Sequence, residues 1–331
     1  MRSFCLRITG VLTLGLLTLL SGCSDLRILQ PVGPIGVANR HVILIAFALM
    51  MIVVIPVIVM SVAIPWRYRA GNSKAVYKPE WTHSTAVEVV VWLIPALIVA
   101  ALGLLVWNST HRLDPYAPLP ASQQPLQVEV VSMDWKWLFI YPQLGIASVN
   151  QLVFPTGRPL DLRLTSDSVM TSFFIPRLGS QIYAMAGMQT RLNLQADQAG
   201  KYLGENSQYS GKGFSFMQFQ AQATDANGFR KWVRQVKNSP MTLNKTGFAQ
   251  LENPDMHSPV SYYGKVTPGL FETIMGKFGG IAGDMYISKP MPLATPKPEP
   301  SATPVETRNP QKAPASTPAP MQNTAQPQEV S

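Results

Sequence analysis

Gln127-Val128-Glu129-Val130-Val131-Ser132-Met133-Asp134-Trp135-Lys136-Trp137-Leu138-Phe139-Ile140-Tyr141-Pro142 decides how the rest of this chain is read. Val128, Val130 and Ser132 alternate with residues of the opposite face, which is the period of a half-buried strand. A second strand-forming run, rich in aromatic and branched residues, follows at once. Further runs of this kind lie at Leu160–Leu164, Phe173–Ile175, Thr190–Leu194 and Phe214–Ala221, punctuated by Gly, Pro, Asn and Asp. Short strands at this spacing predict an all-β sandwich of ordinary single-core size.

Upstream of the sandwich the composition changes. Val42 to Trp66 and Val89 to Trp107 are free of charge, with Pro56 and Pro95 inside, and each ends on a tryptophan. Each is long enough to cross a hydrocarbon core of about 30 Å. Between them Arg67, Arg69, Lys74 and Lys78 outweigh Glu80, so the positive-inside rule places the connecting loop in the cytoplasm and the sandwich outside. At the start of the chain, Arg2 and Arg7 precede an apolar run that ends at Leu20-Ser21-Gly22-Cys23. That arrangement resembles a bacterial lipobox, in which the cysteine is acylated and becomes the mature N-terminus; the competing reading is an ordinary signal peptide with an incidental cysteine. A lipidated Cys23 must lie outside, which agrees with the orientation drawn from the loop.

Downstream, Gly228 to Val236 places Phe229, Trp232, Val233 and Val236 on one helical face, and Thr246–Leu251 and Leu270–Phe278 are further helix candidates. From Lys289 onward Pro, Ala, Thr and Gln dominate and aromatics are absent, so the segment is expected to be disordered. The expected architecture is a two-helix transmembrane hairpin plus an all-β sandwich with a small C-terminal helical appendage. Its segments are a signal peptide (1–22), an external N-terminal stretch (23–40), a first span (41–66), a cytoplasmic loop (67–86), a second span (87–108), the sandwich domain (109–226), the helical extension (227–289) and the Pro-rich tail (290–331).

Composition excludes several functions. The formal charge of +9 has no dense Lys/Arg cluster behind it, so nucleic-acid binding is not expected. Cys5 and Cys23 are the only cysteines, which removes disulfides, thiolate metal sites and cysteine nucleophiles from the sandwich. No phosphate-binding Gly loop or catalytic triad is visible. The chain alone is expected to catalyse nothing.

The order of elements, together with Ser132–Trp137, Phe173–Tyr183 and Tyr209–Met217, resembles subunit II of the haem-copper oxidases, and the ubiquinol oxidases of the cytochrome bo type more than the cytochrome c oxidases. The resemblance covers about residues 20 to 290. It implies a cupredoxin-like fold and a place in a proton-pumping ubiquinol oxidase of the bacterial inner membrane. Haems and copper would belong to subunit I, and the partners would be subunits I, III and IV, ubiquinol as substrate of the complex, and membrane lipid. Cytochrome c oxidases hold a dinuclear copper centre in this domain. Registering that ligand pattern here puts Thr171 and Phe214 at the histidine positions, Asn206 and Ser210 at the cysteines, and Gln208 at the carbonyl donor; Met217 alone is retained. No copper is therefore expected in this subunit, because soft thiolates and imidazoles are what such a site requires.

Trp135 and Trp137 lie where cytochrome c oxidases admit electrons; with no copper to receive them, packing is the expected role. Glu88 matches an acid near a proton-uptake pathway in related oxidases, and equally suits a first-turn acid that complements the helix dipole. His83 and His111 flank the second span and are read as interfacial hydrogen-bonding groups. The competing function is a non-enzymatic envelope lipoprotein that scaffolds or binds partners through its β-domain.

Overall fold

A computed structural model describes residues 26–279 apart from 77, 121 and 122. A 3-10 turn at Arg27–Leu29 leads into α1 (Pro34–Arg67), which returns as α2 (Thr85–Arg112). Pro34 opens α1 where its missing N–H costs nothing. The most apolar stretches of both helices are wholly unburied by the rest of the chain. A core helix of a soluble protein would be covered, so these are surfaces that need lipid or another apolar partner.

Thirteen strands follow among the described residues. β1 (Leu126–Met133), β2 (Lys136–Tyr141), β3 (Ile146–Val149), β5 (Leu160–Ser166), β8 (Thr190–Leu194) and β12 (Ser261–Tyr263) form one sheet in the order β12-β3-β2-β1-β5-β8. β4 (Gln151–Pro155), β6 (Thr171–Phe174), β7 (Ile182–Ala184), β9 (Gly200–Asn206) and β10 (Gln218–Thr224) form the second, in the order β4-β10-β9-β6-β7. β1 pairs parallel with β5 and antiparallel with β2, so two-residue alternation carries Val128, Val130, Trp137 and Phe139 into the space between the sheets. The chain changes sheets at Asn150, between β3 and β4, with a left-handed backbone (φ 57°). Asparagine tolerates that conformation. Its side-chain oxygen accepts from the Trp137 N–H and its amide donates to the Ser258 carbonyl, so the corner is held from both sides.

The run Phe214–Ala221, expected as one strand, divides: Phe214–Phe216 is a 3-10 turn and only Gln218–Thr224 is strand. The extension beyond the sandwich contains α3 (Ala226–Lys237), α4 (Lys245–Leu251) and α5 (Leu270–Gly276), with β11 (Thr242–Leu243) paired to β13 (Lys265–Val266). Asp225 caps α3 by accepting from the Gly228 N–H, and the helix buries Phe229, Trp232 and Val236, the face expected from its periodicity. The extension is more than an appendage of helices. Through β12 it adds a strand to the first sheet, and Leu243, Phe248, Phe271 and Ile274 cover that sheet's outer face, against Val131, Leu138 and Val149. This second core explains why every residue of β2 is buried.

The residues before α1 strap the sandwich to the hairpin. The Val32 N–H donates to the Arg177 carbonyl, the Asp197 N–H donates to the Val32 carbonyl, and the Val32 side chain enters the sandwich core. A Cβ on Gly33 would stand 1.9 Å from the Gln195 carbonyl oxygen, so only glycine permits this approach.

Candidate functional site at the sandwich loops

The β1–β2 turn and the β9–β10 loop meet at one end of the sandwich. Trp135 is held in a left-handed backbone conformation (φ 61°), a costly state for a bulky residue that persists only when its surroundings enforce it. The enforcement is visible. Its indole N–H donates to the Ser210 carbonyl at 2.9 Å, and the ring lies so close to Gly213 that a Cβ there would meet it at 2.3 Å.

Asn206 organises the loop. Its side-chain oxygen accepts from the N–H groups of Ser172 and Gln208, at 2.9 and 3.0 Å. Its amide donates to Ser210 Oγ at 3.0 Å and to Met217 Sδ at 3.4 Å. The structure therefore brings together Asn206, Ser210, Met217 and the Gln208 backbone. Thr171 and Phe214 make other contacts: the buried Thr171 hydroxyl donates to Ser132 Oγ at 2.6 Å, and the Phe214 ring leans on Tyr209, centroids 5.7 Å apart. The donor set is one thioether among neutral hydroxyls and amides. It does not fit a dinuclear copper centre, which needs thiolate and imidazole. No group of three or more His, Cys, Asp or Glu suited to a metal occurs among the described residues. His257 lies against Phe216, with centroids 4.7 Å apart, on the wall of a surface groove of about 650 Å³ that also touches Trp135 and Tyr202.

Residues 141–224 match the family described as "Cytochrome C oxidase subunit II, periplasmic domain", and residues 237–280 match the "COX Aromatic Rich Motif". "Cytochrome bo(3) ubiquinol oxidase subunit 2" of Pseudomonas putida is 50% identical over 275 residues, spanning 83% of this chain and 87% of the relative. The chain belongs to the ubiquinol oxidase subunit 2 family. The protein of the same name from Pseudomonas aeruginosa is 50% identical over 260 residues, covering 78% of each chain. "Ubiquinol oxidase subunit 2" of Acetobacter aceti is 49% identical over 262 residues, covering 78% of this chain and 85% of the relative.

In this chain the extension is tied to the sandwich by charges that the sequence did not mark as important. Lys136 is buried on the outer face of β2, and its ammonium donates to the Leu251 and Asn253 carbonyls at 2.8 and 2.7 Å. Burial lowers its pKa, and Asp255 and Asp134 counter that. Lys277 joins Asp167, at 3.0 Å, and Glu252. Glu88 stands exposed in the first turn of α2, its N–H donating to the Ser84 carbonyl. The His111 ring approaches the Trp107 carbonyl, one turn back in the same helix, at 2.8 Å. Cys23 and the segment from 290 lie outside the described residues.

Glu129, on the outer face of β1 opposite Arg163 of β5, has its pKa pushed up to about 7 by burial and then by Glu272 in the first turn of α5, against a lowering from Arg163. The folded state thus binds this proton more tightly than the unfolded chain. Below the unfolded pKa the group costs nothing; as pH rises through about 7 the folded protein must carry a poorly hydrated carboxylate, and stability falls. Glu129→Gln is expected to raise stability by about 1 kcal/mol near pH 8.5, after allowance for its partial exposure, and to change nothing near pH 4. Denaturant melts at the two pH values check this; an equal effect at both would remove ionisation as the cause.

Proposed function

We propose that this chain is the second, non-haem-bearing subunit of a proton-pumping ubiquinol oxidase, the inner-membrane complex that passes electrons from ubiquinol to dioxygen and forms water. The observation that carries the reading is the Asn206–Ser210–Met217 cluster. Hydrogen bonds between an amide, a hydroxyl and a thioether occupy the place where the cytochrome c oxidases it resembles ligate copper. With no redox centre in the domain, electrons enter elsewhere, and quinol rather than cytochrome c is the donor. The haems and the active-site copper belong to subunit I, and subunits III and IV complete the complex. This subunit braces subunit I with α1 and α2 and caps its outer face with the sandwich. The loop between the helices faces the cytoplasm, and Cys23 carries the lipid anchor outside.

Steady turnover of the detergent-purified complex on ubiquinol, with none on reduced cytochrome c alone, is the expected result. Sustained turnover on reduced cytochrome c would sink the assignment. No contact in the sandwich favours the competing scaffold reading.

Glu88 is assigned to the cytoplasmic mouth of a proton-uptake route into subunit I. Glu88→Ala is expected to slow turnover on the order of tenfold while the complex assembles normally. Unchanged turnover and pumping, followed with a pH-sensitive dye in proteoliposomes, would leave Glu88 as a dipole-complementing acid at a helix N-terminus.

A further inference from the structure

Two apolar hollows meet on the outer half of α2. One, of about 430 Å³, lies where Ile28, the first turns of α1, the end of α2 and the Phe174–Gln181 stretch converge. The other, of about 550 Å³, runs down α2 past Val106 and Gly103 to Val99. Thr110 lines both, so together they form one lane from Leu113 to Val99. At about 1.5 Å per residue the lane is about 21 Å long, enough for one leaflet of about 15 Å and part of the interface above it.

The lane is graded in polarity. At its upper end the Asn39 amide donates to Ser180 Oγ at 2.9 Å, with Gln181 and Ser109 beside them. Amides and hydroxyls there suit ester carbonyls. Below Trp107 the walls are aliphatic, from Val106 through Leu102 to Val99, and Gly103 leaves open space where a side chain would stand. Nothing among the described residues covers it: Val99 and Trp107 are both 68% exposed.

The occupant is indicated by the chain itself. Ile28 forms part of the upper wall, and Cys23 lies five residues before it, within a reach of about 18 Å at most. Resting on the lipidation read at Cys23, we infer that an acyl chain borne by Cys23 lies in this lane and fills the surface of α2 between Leu113 and Val99. The lipid then does more than hold the N-terminus at the membrane. It completes the packing of the hairpin's outer end, beneath the strap at Val32 and Gly33.

The test uses the whole oxidase complex from cells fed a photoreactive, clickable fatty acid, irradiated and then mapped by mass spectrometry. The expected result is a cross-link joining the Cys23 peptide to peptides from residues 99–113. Gly103→Leu, which adds a side chain in open space, should lower its yield severalfold with the mass of the Cys23 peptide and complex assembly unchanged. An acylated Cys23 whose cross-links fall on other subunits or elsewhere, or a lane labelled only by free phospholipid, would overturn the inference while leaving lipidation standing. An unmodified Cys23 peptide would overturn both.

Discussion

Trp137→Ala will cost about 4 kcal/mol and leave the sandwich barely folded at 37 °C, the largest effect expected of any single truncation in this chain. Trp137 is fully buried at the centre of the space between the sheets. Its ring meets Phe173 and Phe219 edge-on, at 5.3 and 5.7 Å, and those two rings stack on each other at 5.0 Å. Truncation removes the indole from all of these contacts and leaves a cavity that strands paired on both sides of β2 cannot close. Its indole N–H meets no acceptor among the described residues. Trp137→Phe therefore removes volume together with an unsatisfied donor, and its cost should be about 1 kcal/mol. Thermal melts of the complex, read by circular dichroism of the β-domain, separate the two variants. Equal losses would mean that packing at this position does not set stability.

The core-facing side of β1, the strand paired with the one that holds Trp137, is the side most legible in the sequence. Val128, Val130 and Ser132 alternate with residues of the opposite face on β1, so that strand's core face can be read from spacing alone. The two spans are legible because a long, unbroken apolar run is stable only in lipid or deep inside a large core. The start of α1 is not: the helix begins at Pro34, ahead of the apolar run, because Asn39 faces Ser180 and the strap at Val32 and Gly33 seats it on the sandwich instead of in lipid. The outward face of β1 and β2 is misleading for a similar reason. Glu129 and Lys136 read as ordinary solvent-facing charges on strands. They become partly or fully buried only because α4, α5 and β12, more than a hundred residues later, cover that face. Phe214–Ala221 reads as one strand because apolar and polar residues alternate along most of it; the hydrogen bonds between Asn206 and Met217 that end the turn and start the strand join residues eleven apart. At the loop site the residue identities follow from the resemblance, by registering its ligand pattern on this sequence, and the way Asn206 unites them does not, since an asparagine's four partners depend on where the strands place it.

Lys136→Met will cost about 2–3 kcal/mol, and the loss will appear first in α4 and not in the sandwich core. The lysine stem is as apolar as methionine, so packing on β2 changes little. What disappears is an ammonium that serves as the C-terminal cap of α4, satisfying the carbonyl of its last residue, Leu251, and that of Asn253 just beyond. Relief of the buried charge's own desolvation, the effect that lowers its pKa, offsets part of this cost. The carbonyls left behind, on half-buried Leu251 and exposed Asn253, lose charge-assisted donors, and that loss is the larger because two acceptors lose their donor for one charge removed. Hydrogen exchange should show faster opening of residues 245–253 with little change in β1 and β2. Because the Lys277 link to Glu252 and Asp167 remains, α5 should hold its place, and Lys136→Met combined with Lys277→Met should cost more than the sum of the two. Strict additivity would show that the two lysines secure the extension independently, not as one clamp across the outer face of the sheet.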